Sequence, residues 1–184
     1  YASFEIKKTD KDFLKGGHII IWTTTPWTIP ANRALAYSSK IKYSVIQMGR
    51  DTEHFQNKNI IIANELINKV SEECNYKDFQ IIKEFTGNEF KNTICTHPFL
   101  NLGYDYDVPM LEGDFVTLEQ GTGIVHTAPA HGPDDFNLCL KHGIKTFSTM
   151  NDAGIYSNEI PFFAGTHIFK ADDRIIEKLF ESKS

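Results

Sequence analysis

The chain has 184 residues, with 19 basic and 24 acidic side chains and a net charge of −5 when its seven histidines are neutral. At 41% hydrophobic and 23% charged it is a globular chain with apolar mass for a real core, not a disordered one. The acid excess excludes a domain that grips nucleic acid along a broad basic face, though not one that takes in only a nucleic-acid end. No apolar run approaches the ~18 residues of a membrane-spanning helix, and the charged first ten residues hold no apolar signal-peptide core. Cys74, Cys95 and Cys139 are scattered without a CxxC pair, which fits a reducing compartment and predicts a cytoplasmic, membrane-free location.

The first strong strand signal covers 18–23, a β-branched and aromatic run behind the turn pair Gly16-Gly17. Pro26 and Pro30 forbid regular helix beyond it, so 24–32 is predicted as an ordered loop. Residues 34–37, 42–48, 59–62 and 79–85 read as strands, and 64–73 as a helix with Leu66, Ile67 and Val70 on one face. Short strands are predicted at 108–111 and 115–118 around the turn Glu112-Gly113-Asp114, and at 123–127. Pro133 suits the first position of a helix over 133–142, and Asp134 and Asp135 suit its positive end. Phe136, Cys139 and Leu140 are its predicted inner face. A last helix spans 172–180, with Ile175, Ile176, Leu179 and Phe180 turned inward. Many short strands with few helices, not in regular alternation, predict a mixed α/β fold: a small β-barrel or curled mixed sheet with peripheral helices.

Two stretches carry chemistry. Trp22-Thr23-Thr24-Thr25-Pro26-Trp27-Thr28-Ile29-Pro30-Ala31-Asn32 packs four threonines, two tryptophans and two prolines into eleven residues. A strand ending in threonines presents hydroxyls and free backbone N–H groups at its tip, and the prolines fix them before a ligand arrives. These residues serve equally well as strand formers and core. In the second stretch, Gly121-Thr122-Gly123-Ile124-Val125-His126-Thr127-Ala128-Pro129 is followed by His131-Gly132-Pro133-Asp134-Asp135-Phe136. His126 ends a strand, and Asp135 sits in the first helical turn, where the dipole favours an ionised carboxylate able to bind an ammonium. The alternative for the Asp134-Asp135 pair is simple support of the helix start. Gly121-x-Gly123 lacks the third glycine of a dinucleotide fingerprint, and no P-loop, HExxH or Gly-x-Ser-x-Gly occurs. A metal cluster of His126, His131, Asp135 and Cys139 is a weak alternative, because prolines interrupt it.

Together the two stretches resemble the paired motifs of the editing domain of isoleucyl-tRNA synthetases, in the bacterial His126-Thr127-Ala128-Pro129 form, and the resemblance runs over essentially the whole chain. Valyl and leucyl members typically read Thr-Thr-Arg-Pro-Glu-Thr in the first motif, whereas Thr25 and Trp27 stand at the Arg and Glu positions here. The His-Ile-Gly-His and Lys-Met-Ser-Lys-Ser signatures of the aminoacylation site are absent, so the resemblance implies that residues 1–184 are one editing domain of a larger class I synthetase, with its two ends close together, unable to aminoacylate alone.

The implied activity is hydrolysis of valine wrongly esterified to isoleucine tRNA, and of valyl adenylate. The implied partners are the 3′-terminal aminoacyl-adenosine, valine, and the rest of the synthetase in cis, with the domain itself a monomer. No cofactor or metal is implied for this domain; ATP and zinc belong to the parent enzyme. By the same resemblance Asp135 anchors the α-ammonium. Thr24 and Thr25 line the pocket and bind the adenosine or the water, with Thr23 beside them on the opposite face if the strand persists. Asn32 hydrogen-bonds substrate, and Trp27 packs under the loop or stacks near the adenosine. His126 forms the wall that excludes isoleucine, a role ranked above general base. The alternatives are a valyl or leucyl editing domain, a non-catalytic aminoacyl-adenosine-binding module, and a stand-alone hydrolase of another small ester.

Overall fold

The computed structural model describes residues 1–49, 55 and 57–184. Among these the strands, in chain order, are β1 (Ala2–Lys8), β2 (His18–Ile21), β3 (Ala34–Tyr37), β4 (Lys42–Met48), β5 (Asn59–Ala63), β6 (Phe79–Thr86), β7 (Ile94–Thr96), β8 (Asp107–Glu112) and β9 (Val125–Thr127). Three α-helices accompany them: α1 (Ile67–Glu73), α2 (Pro133–Lys141) and α3 (Asp172–Ser182). The strands form one mixed sheet in the order β6-β4-β5-β2-β1-β7-β8-β3-β9. Two of its pairings are parallel, β2 with β5 and β3 with β8; the other six are antiparallel.

Of the two architectures the sequence predicts, the curled mixed sheet is the one found. β6 and β9 are not paired to each other among the described residues, so the barrel does not close. The curl is still deep. A register shift in β1 between Ile6 and Lys8 bends the middle of the sheet, as bulges do by adding twist. The turn before β9 then reaches the far half: Ala63 N–H donates to Thr122 O at 2.9 Å, and the Tyr43 hydroxyl donates to Gly123 O at 2.8 Å. This crossing explains Gly123. Its φ is +75°, and a Cβ there would meet the Ala63 Cβ at 2.5 Å, so the glycine serves close backbone packing. Tyr43 also accepts from Ser38 N–H at 3.1 Å. Tyr43→Phe removes both bonds in a buried site and is expected to cost about 1–3 kcal/mol, read as a lower urea midpoint with the fold retained.

The core lies inside the curl. Phe90 is fully buried against Tyr37, Tyr43 and Phe85. Phe4, Phe99 and Tyr104 surround the buried His97 in a second aromatic group, which Phe163 extends by packing on Phe99.

Several predicted details differ. β1 is a central strand: Phe4 and Ile6 face the core while Glu5 and Lys7 face out. Residues 115–118 form no strand; Val116 N–H closes a turn on Gly113 O instead. Phe136 and Leu140 are exposed, since α2 meets the sheet along Leu138 and Cys139. Likewise α3 is buried along the i, i+4 seam Ile175 and Leu179, leaving Ile176 and Phe180 outward. The loop 24–32 contains a 3₁₀ turn, Pro26–Ala31, which suits Pro26 at its first position. No helix among the described residues is long and apolar enough to cross a membrane.

Candidate functional site

The two motifs meet in one cleft of about 320 Å3. It is lined by Trp22, Thr23, Thr24, Thr25 and Thr28 from one side and by Val125, His126, Ala128, His131, Gly132 and Asp135 from the other. β3 brings them together: it follows the threonine loop in sequence, and its Leu35 pairs with His126 of β9. A larger apolar groove of about 490 Å3, between β1 and α3, touches the threonine loop through Thr23, Pro26 and Ile29. It gathers neither the histidines nor Asp135, so the smaller cleft is where the reactive side chains converge.

His126 is the best-defined residue of the cleft. Asn32 Nδ2 donates to Ala34 O at 2.9 Å and contacts His126 Nδ1 at 2.7 Å. Because that amide nitrogen must face a carbonyl, it is a donor to His126 as well, and Nδ1 accepts. Nε2 therefore carries the proton and donates to Thr28 Oγ1 at 3.0 Å. Thr28 in turn donates to Thr25 O at 2.8 Å. Both ring nitrogens are thus committed, and burial, then His131, pushes the pKa down to about 3. His126 is a fixed, neutral wall at neutral pH, with no lone pair for a proton or a metal.

The remaining predicted residues fall into two groups. Thr23, Thr24, Thr25, His126 and Asp135 line the cleft. Thr23 is not on an opposite face: β2 ends at Ile21, and Thr23 Oγ1 turns back to accept from Thr25 N–H at 3.0 Å and to meet Thr25 Oγ1 at 3.2 Å. Asn32 and Trp27 do not line it. Asn32 is fully buried behind His126 and acts through that ring, while Tyr106 Oη donates to its carbonyl at 2.7 Å. Trp27 lies under the loop. Its backbone N–H donates to Asp172 Oδ1 at 3.0 Å, Tyr156 Oη donates to its carbonyl, and its ring meets His131 edge-on at 5.1 Å.

Asp135 Oδ2 accepts from Ala128 N–H at 2.8 Å, which fixes the carboxylate across the start of α2. Burial raises its pKa, and the Ala128 hydrogen bond opposes that rise. The helix start alone predicts the opposite direction.

Trp22, Thr28 and His131 also line the cleft. The sequence holds them inside the two motifs, but nothing local distinguishes them from core residues. His97, far from both motifs, braces the loop from below. Its Nδ1 accepts from Phe99 N–H at 3.0 Å, so Nε2–H donates to Ile29 O at 3.0 Å, and the ring stacks on Tyr104 at 4.6 Å. Burial pushes its pKa down to about 3. Among the described residues no three His, Cys, Asp or Glu side chains gather as a metal-binding set, and Cys139 is buried under α2.

The fold matches the solved structure of GlLeuRS-CP1, a leucyl-tRNA synthetase connective-peptide domain, with a TM-score of 0.72 over 98% of this chain and 94% of that one, at 13% identity. The architecture is therefore that of a synthetase connective-peptide domain. No protein-family model matches the chain. Sequence comparison narrows the class. The isoleucine–tRNA ligase of Pelagibacter ubique is 57% identical over 183 residues, and that of Gluconobacter oxydans 42% identical over 188, each covering 100% of this chain. Over its whole length the chain is therefore homologous to a segment of isoleucine–tRNA ligases, one that spans 20% of the length of those two relatives.

Proposed function

We propose that this domain hydrolyses the ester of valine wrongly joined to isoleucine tRNA, and valyl adenylate, in the cleft between the threonine loop and α2. The carrying observation is the placement of a fixed carboxylate, a neutral histidine wall and a cluster of threonine hydroxyls around one small cavity. Asp135 has one oxygen held by Ala128 N–H; the other is available to the α-ammonium through a charge-assisted hydrogen bond. His126 limits the depth open to the side chain. Thr24 and Thr25 hold the adenosine end and the attacking water. An aminoacyl ester is already activated, so orientation and polarisation do most of the work, with help from the neighbouring ribose hydroxyl.

The biological need follows from size. A pocket gains only about 1–3 kcal/mol from one methylene, and isoleucine against valine is itself the standard case in which a second, hydrolytic sieve is required. The isoleucyl names of the relatives favour this substrate over the valyl and leucyl alternatives. The acidic balance of the chain assigns the tRNA body to other parts of the synthetase and only the single-stranded end to this cleft.

Deacylation of isoleucine tRNA carrying valine, against the same tRNA carrying isoleucine, tests the reading. The valyl ester is expected to be lost faster, and equal rates or no hydrolysis of either would sink it. His126→Ala deepens the cleft and is expected to reduce the preference for valine by roughly 10-fold, through faster loss of isoleucine.

A further inference from the structure

We infer that His131 is the proton-transfer group of the hydrolysis, accepting the water proton at Nδ1. The inference rests on the deacylase reading above and names a residue for the step that reading leaves without one. His126 cannot take it, since its Nδ1 accepts from Asn32 and its Nε2 is committed to Thr28. His131 lines the same cleft beside Asp135. Its Nε2 meets Thr149 Oγ1 at 2.9 Å, and its ring is steadied edge-on against Trp27. We take the tautomer in which Nε2–H donates to Thr149 Oγ1, which leaves the lone pair on Nδ1; no hydrogen bond to Nδ1 is found among the described residues. The ring is thus held from one edge and open at the other, which is the arrangement a positioned base needs.

The surroundings keep it neutral. Two other titratable groups line the cleft with His131, His126 on β9 and Asp135 on α2; its contacts Trp27 and Thr149 carry no charge. His126 is itself neutral at working pH. Burial lowers the His131 pKa from its ordinary value, so the free base is the dominant form at neutral pH. In the step, water oxygen bonds to the ester carbonyl carbon while its proton passes to His131 Nδ1. The tetrahedral intermediate then breaks its bond to the ribose oxygen, which takes that proton back from the imidazolium. Valine leaves as the acid and the tRNA end as the free hydroxyl, with atoms balanced and no co-reactant.

The test compares this chain with His131→Gln, whose amide retains a donor toward Thr149, and with His131→Ala. Single-turnover loss of valine from isoleucine tRNA is followed from pH 5 to 8.5, alongside binding of a non-hydrolysable valyl-adenosine amide. The expected result is at least a ~100-fold slower rate in both variants with analogue affinity within about threefold. The acid-side inflection assigned to His131 is expected to vanish, and added imidazole to restore part of the rate in His131→Ala. An unchanged rate overturns the assignment. So does a slow rate that keeps the same pH profile and ignores imidazole, since that marks a structural role. Failure of the parent chain itself to release valine removes the deacylase reading and this one together, whereas failure of the variants alone to respond removes only this one.

Discussion

Asp135→Asn is expected to slow valine deacylation roughly 100- to 1,000-fold, the effect of removing one partner of a buried, hydrogen-bonded charge pair. Asn is the informative substitution because its carbonyl oxygen still accepts from Ala128 N–H, the bond that Asp135 makes at 2.8 Å. The tie between α2 and the loop before it therefore stays in place, and thermal stability should move little. Asp135→Ala removes charge and tie together and should cost stability as well. The pH dependence follows from burial. Only the carboxylate binds the ammonium, so this contribution is present above the Asp135 pKa and lost as pH falls through it. That pKa is raised, so the loss begins at a higher pH than an exposed aspartate would give. Loss of valine from the mischarged tRNA, measured for the chain and for Asp135→Asn across pH 5 to 8, checks both points. A variant rate within threefold of the parent would exclude the ammonium anchor.

The second large effect is on stability in acid. His97 and His126 are buried as neutral rings, each with its pKa pushed down to about 3 from the ordinary 6.5. Between those values the unfolded chain binds protons that the folded one does not. Stability is therefore complete above about pH 6.5 and falls as pH drops below it, by about 2 kcal/mol per ring at pH 5 and about 4 kcal/mol for the pair. The buried His18 and the partly buried His131, also lowered, add in the same direction. Asp135, raised, works against it. Urea midpoints at pH 7.5 and pH 5.0 provide the measurement. The midpoint is expected to fall sharply at pH 5.0, and less so in His97→Gln compared with its own pH 7.5 value. Equal midpoints would mean that these rings are not held neutral. Since His97 holds Ile29 O and His126 is tied to Thr28, acid should loosen the threonine loop first.

The two motifs were legible because each is continuous in sequence and dense in residues with few structural uses together. Thr23, Thr24, Thr25, His126 and Asp135 were reachable that way. What local pattern cannot give is which side chain in a motif turns outward. Asn32 and Trp27 belong to the motif yet lie behind and under the cleft, because β3 pairs with β9 and α3 clamps the loop through Asp172. His131 enters the cleft through its contacts with Trp27 and Thr149, the latter 18 residues away. The fold class followed from strand density, but β1 did not: Phe4-Glu5-Ile6-Lys7 alternates over only four residues, and Lys8 breaks the pattern. Its central place depends on β7, a three-residue strand with no sequence signal of its own.

The strand order also fixes when the cleft can exist during synthesis. The threonine loop leaves β2 in one half of the sheet and enters β3 in the other, with three strands between them. β3 has no neighbour until Asp107–Glu112 and Val125–Thr127 are made, since β8 and β9 are its two partners. A nascent chain that has emerged only through β6 can pair β1, β2, β4, β5 and β6 while its threonine loop is tethered at one end. His126, His131 and Asp135 arrive after that, and the last helix to clamp Trp27 arrives later still. The proposed hydrolysis therefore needs the finished sheet, and release of valine by a ribosome-bound or truncated chain would report completion of the fold rather than its beginning.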